Sequence, residues 1–187
     1  GSWLQPAELR VEDGQNGRRA FRLDSDEEKA ALAELIGVNS VKFTELSHNR
    51  NSDYVFDLDK MVALQGDTAP YLQYSNVRCK SIFRKLDEEV DFTALKPEIT
   101  DDGEINLSRM LARYGEILPN VLDDLRPNIL ANYLIELARS FHSFFEACPV
   151  LKSEGATQNT RLVLCELTSR VLVKGLGLLG IETPERM

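Results

Sequence analysis

The side chains best placed to do chemistry lie between Gly66 and Lys85, GDTAPYLQYSNVRCKSIFRK, where Tyr71, Tyr74, Arg78, Ser81 and Lys85 recur at three- and four-residue steps. On a helix this spacing gathers aromatic rings and cations onto one face. Rings stack bases and cations neutralise phosphates, so the face suits a folded nucleic acid. The same spacing also serves a core, and Leu72, Val77, Cys79, Ile82 and Phe83 supply an apolar stripe in the same stretch.

The remaining reactive residues fit catalytic templates poorly. His48 and His142 are far apart, and neither sits in the H-x-x-x-H or H-E-x-x-H spacing that puts two imidazoles on one metal. Asp53, Asp57 and Asp59 are clustered carboxylates, but their position at a helix entrance fits the helix dipole better than a divalent cation. Cys165 lies among Leu162, Val163, Leu164 and Leu167, where a thiol is buried and inert. Neither a phosphate-cradling G-x-x-x-x-G-K-[ST] loop nor a G-x-G-x-x-G turn is present. Gly175 and Gly177 are read instead as close-packing positions within a helix.

Composition narrows the class. The 187 residues are 43% hydrophobic, enough for one sizeable core. A net charge of -8 argues against a chain that coats nucleic acid by bulk electrostatics. The acidic excess is uneven: Arg126 to Met187 holds 7 basic and 6 acidic residues, so this third alone has no acidic surplus. Cys79, Cys148 and Cys165 form neither a C-x-x-C pair nor an even framework, which points to a reducing, cytoplasmic setting. No apolar run is long enough to span a bilayer and no secretory signal pattern opens the chain. Gly1-Ser2 reads as a cloning remnant, with the natural sequence expected from Trp3 as part of something longer.

The elements that must position these residues are mainly helical. Residues 8–11 and 19–23 are read as a weak strand pair. Ser25 and Glu28 form a capping box for a helix that Gly37 is expected to end, with a second helix over 39–46 and a short one over 57–64. Asp67 or Thr68 caps a helix running to about residue 86, with Pro70 in its first turn. A loop is expected from Asp87 to Asn106, then a helix from Ser108 that Pro119 kinks or splits. A strong helix begins at Arg126-Pro127 and stops at Pro149, and a last long helix is capped by Gly180. The fold class is therefore an antiparallel α-helical bundle.

Two motifs also carry a family resemblance. NRNSDYVFDLDKM followed by GDTAPYLQYSNVRCKSIFRK resembles the junction in arginyl-tRNA synthetases where the class I catalytic domain gives way to the helical anticodon-binding domain. NTRLVLCELTSRVLVKGLGLLGIETPERM resembles that family's last helix and tail, and a helical middle with NYLIELARSFHSFFEACPVL separates the two. The resemblance covers about Val38 to Met187. It implies an irregular segment over 1–24, a remnant of the catalytic-domain junction over 25–66 and the anticodon-binding bundle over 67–187. It also implies arginine tRNA as partner, through the anticodon loop, with neither DNA nor membrane and with a monomeric chain. The full-length family uses ATP and Mg to join arginine to its tRNA with HIGH and KMSKS signatures. Neither signature occurs here, so no cofactor and no aminoacylation are expected of this chain alone.

Position by position, the resemblance makes Phe145 the base-stacking ring and Met187 the terminal contact, while a second stacking ring of some members falls at Pro149. Asn159, Arg161 and Arg186 become candidate hydrogen-bond and phosphate partners, and Arg78 and Arg84, with Lys80 and Lys85, retain a role facing RNA. Tyr71 and Tyr74 are expected to pack at the junction. The competing reading is an acidic helical module that binds protein through exposed rings and tail. A thiol or metal enzyme is the third.

Overall fold

A computed structural model describes residues 25–86 and 89–187; the expected strand pair lies outside them. The described residues form seven helices and no strand. Helix α1 spans Asp26–Ser47, α2 Leu58–Met61, α3 Ala69–Phe83, α4 Asp102–Ala112, α5 Tyr114–Asp124, α6 Pro127–Ala147 and α7 Gly155–Leu178.

Helix α1 starts where its capping box predicts, with the Ser25 hydroxyl accepting from the Glu28 amide. It does not stop at Gly37. Leu32, Ile36, Ser40 and Phe43 keep one buried stripe across the glycine, and burying Phe43 completely outweighs the roughly 1 kcal/mol that an interior glycine costs. The two helices expected on either side are thus one. Helix α2 is a single turn capped by Asp57, shorter than expected. Gly66, at φ +90, turns the chain into α3, and the Thr68 hydroxyl accepts from the Tyr71 amide at 3.2 Å. Helix α1, on the N-terminal side of the sequence boundary at 66/67, packs on α3 and α6.

Helix α4 begins six residues before the expected Ser108. Asp101 and Glu104 form a capping box that Gly103 conceals, since glycine reads as a breaker. Close approach explains the glycine: a Cβ there would stand 3.1 Å from the Cys148 Sγ. The break expected at Pro119 falls instead at Arg113, between α4 and α5. A prolyl ring crowds the carbonyl four residues earlier, here that of Gly115, so the disturbance lands in the preceding turn.

Helix α5 ends at Leu125 in the left-handed region, φ 51 and ψ 43, with the side chain 65% exposed. Leucine is strained there and loses little burial on removal. Leu125→Gly is expected to raise the unfolding free energy by about 1 kcal/mol, read by denaturant titration.

Helix α6 is the centre, touching α1, α3, α4, α5 and α7. Its Leu130, Leu134, Leu137, Phe141 and Phe144 are buried. A Cβ at Gly175 would stand 2.6 Å from the Leu134 Cδ2, so α7 needs glycine to approach α6. Gly177 meets nothing, and the close-packing expectation holds at Gly175 alone. At the end of α7, Gly180 adopts φ 67 while the Ile181 amide bonds back to the Leu176 carbonyl at 3.0 Å, with Ile181 buried. This closing motif reverses the tail onto the bundle.

Candidate nucleic-acid interface

The expected face of α3 is present and outward. Tyr74 and Lys85 are exposed and Arg78 and Ser81 half-buried, a strip about 16 Å long at 1.5 Å per residue. Each edge of the strip is built by another element. On one edge, the Arg78 guanidinium carbon lies 4.1 Å from the centre of the Phe145 ring, a cation–π contact. Phe145 leans in turn on Phe141, ring centres 5.9 Å apart. His142 sits 3.3 Å from Arg78 Nη1 through Nδ1 and 3.2 Å from Glu146 Oε1 through Nε2, so it bridges the guanidinium to a carboxylate. Burial raises the Tyr71 hydroxyl above its ordinary value, against the opposing field of Arg139 and Arg78. Tyr71 is therefore half-buried beside the same cations, whereas Tyr74 is open to solvent.

The other edge is the tail. Gln73 Nε2 donates to the Glu182 carbonyl at 2.8 Å and Asn39 Nδ2 to the same oxygen at 3.1 Å. Lys80 Nζ meets Glu185 Oε1 at 2.5 Å and Arg84 Nη1 the Glu185 carbonyl at 3.2 Å. Residues 182 and 185 thus follow residues 73 and 80–84, so the tail runs parallel to α3. It carries exposed Arg186 and half-buried Met187 toward the C-terminal end of α3, beyond Arg84. Arg78 and Lys80 point about 160° apart around the helix, and the outward strip lies between them.

The remaining candidates divide. Asn159 is half-buried in the first turns of α7, which shares an end of the bundle with the last turn of α6 across the short connection at residues 148–154. Arg161 is committed inside the fold. Its Nε donates to Glu104 Oε1 at 2.8 Å and its Nη1 to the Pro149 carbonyl at 3.2 Å, with only 12% of the side chain exposed. Glu104 is fully buried and accepts also from the Thr100 and Asp101 amides, at 3.0 and 3.2 Å. Pro149 is exposed and offers no ring face of aromatic type.

Burial pushes the Glu104 carboxyl up, but the Thr100 amide, Arg161 and the Asp101 amide outweigh it and hold the group below its ordinary value. A carboxylate lowered in the folded state adds stability above its unfolded value, about 4.5, and loses it as pH falls through the lowered folded value. Wild type should therefore lose stability steeply below pH 4.5, and Glu104→Gln should flatten that part of the curve in acid denaturation. This network escaped the sequence reading. The Asp101–Glu104 spacing alone signalled it, and its partner lies 57 residues further on.

The described thiols and His48 sit in structural surroundings. Burial pushes the Cys165 and Cys79 thiols far up, and burial with the Asp101 carboxylate raises Cys148 to about 11. None of the three forms a thiolate near neutrality. His48 stacks on Tyr54 at 4.8 Å, and Asp57 caps α2. Among the described residues no group of three His, Cys, Asp or Glu is placed to hold a metal ion. No described helix is long and apolar enough to cross a membrane.

The sequence of this helical bundle defines its class: residues 72–187 match the DALR anticodon binding domain, and the chain belongs to that family. Its sequence relatives include the arginine–tRNA ligase of Laribacter hongkongensis, 49% identical over 163 residues that cover 87% of this chain and 28% of that protein. The arginine–tRNA ligase of Synechococcus sp. is 46% identical over 169 residues, covering 89% and 29%. Among solved structures, the arginyl-tRNA synthetase of Thermus thermophilus superposes with a TM-score of 0.79 at 28% identity, over 88% of this chain and 28% of that one. That of Plasmodium falciparum gives 0.77 at 30% identity, over 85% and 28%. The chain thus spans less than a third of the length of these relatives.

Proposed function

We propose that this chain grips the anticodon loop of an arginine tRNA, as part of a longer arginine–tRNA ligase. The observation that carries the reading is the Arg78–Phe145 pair at the edge of the exposed α3 strip, level with the tail. A splayed base would stack on Tyr74 or on the layered guanidinium and ring, since every base has a π-face. Arg84, Lys85 and Arg186 would supply phosphate contacts, Asn159 and Met187 base-edge and apolar ones, and Arg161 would shape the connection beside them. Chain partners other than RNA, whether DNA or membrane, have no place in this reading, and the chain acts as a monomer in the cytoplasm. Arginine activation with ATP and magnesium belongs to the part of the longer relatives that this chain does not span.

The test is a titration of the chain with an isolated arginine anticodon stem-loop at several salt concentrations. Binding whose log affinity falls linearly with log salt, with a slope reflecting several phosphate contacts, is expected. Absence of binding at low salt would overturn the proposal.

A further inference from the structure

Beyond the strip and the tail, Lys80 of α3 and one face of α7 border an open cleft of about 570 Å³ lined by Lys80, Glu166, Ser169, Arg170, Val173 and Lys174. Three cations face one carboxylate there, in a chain whose net charge is -8. Glu166 is already engaged, accepting from Arg170 Nε at 2.6 Å. Lys174 has no ion-pair partner among the described residues, and Lys80 is held only by Glu185, a tail carboxylate 76% exposed. Below the wall, the Ser169 hydroxyl donates to Asn76 Oδ1 at 2.7 Å. Asn76 is fully buried beneath the cleft and does not line it.

We infer that this cleft holds a phosphate of the RNA backbone, between Lys80 and Lys174, with the attached ribose over Val173, and that Glu185 is the stand-in anion when RNA is absent. The inference rests on the proposed RNA-binding function and adds a second contact on the far side of the tail from Phe145. A phosphate is favoured over a protein carboxylate because the cleft adjoins the tail and the α3 strip that the proposed function sets against RNA, whose backbone repeats such an anion at every nucleotide. An exposed ion pair such as Lys80–Glu185 is weak enough to be exchanged for it. The cleft also adjoins the tail that Lys80 and Arg84 hold, so one RNA strand can pass from the α3 strip across the tail into it.

Lys174→Gln and Glu185→Gln separate the possibilities in the full chain, titrated with the same stem-loop and with polyglutamate as an acidic-peptide probe. Lys174→Gln should weaken RNA binding by about three- to tenfold and reduce the salt slope by about one contact. Glu185→Gln should strengthen binding by about two- to fivefold by removing the competing carboxylate. Both side chains are at the surface, so thermal melts should match wild type. If wild type binds RNA and Phe145→Ala weakens it while Lys174→Gln leaves affinity and slope unchanged, the cleft inference fails and the function stands. If wild type binds no RNA, both fail. Polyglutamate that binds more tightly than RNA, and is lost in Lys174→Gln, assigns the cleft to an acidic protein and overturns the inference.

Discussion

Arg161→Ala should lower the unfolding free energy by about 3–5 kcal/mol, because it strips the cationic partner from a fully buried carboxylate. Glu104 would keep its two backbone donors but lose its countercharge. The effect reaches beyond one pair, since Arg161 also bonds the Pro149 carbonyl and so ties α4, α7 and the connection after α6. Removing both charges, as in Arg161→Met with Glu104→Met, should recover much of the loss, because well-packed apolar side chains can replace a buried pair. Denaturant titration reads both. A stable Arg161→Ala whose sole defect is a shallower salt dependence of tRNA binding would show that Arg161 faces phosphate, as its sequence position first suggests.

Phe145→Ala should weaken binding of arginine tRNA by about tenfold or more, the worth of one base stacked on an aromatic ring, ~1 to 3 kcal/mol. The ring is half-buried against Phe141, so the variant will also be less stable, and the binding must be compared at a temperature where both proteins are folded. Arg78→Ala supplies the control. It removes the upper layer of the stack from a half-exposed site and leaves no core cavity. Phe145→Leu keeps most of the apolar bulk and loses the π-face, and it should bind nearly as poorly as the alanine variant. Wild-type affinity in both Arg78→Ala and Phe145→Leu would exclude this edge of α3 from the interface.

The helical bundle was legible because its signals are local. Ser25, Thr68, Pro127 and Gly180 each mark a helix end within a few residues, and the apolar spacing from Leu130 to Phe144 marks the central helix unaided. The errors arose where tertiary contact overrides local preference. Gly37 reads as a stop until Phe43 is known to be buried on the same stripe, and Gly103 reads as loop until Cys148 is seen against it. The site was legible by residue type more than by arrangement. Arg78 and Phe145 are 67 positions apart, and only packing of α3 on α6 sets one over the other. The tail could be read as carrying Arg186 and Met187, but not that Gln73, Lys80 and Arg84 hold it along α3. Arg161 has the position of an RNA ligand and the surroundings of a structural ion pair, a distinction that burial alone makes.

Whether this bundle reads an anticodon loop is decided by a paired titration with arginine tRNA and the same tRNA bearing substituted anticodon bases. Base stacking gives saturable binding to the first and affinity reduced by tenfold or more, ~1 to 3 kcal/mol per unstacked base, for the second. Equal affinity for the two would contradict it, leaving at most a sequence-blind contact with the RNA backbone.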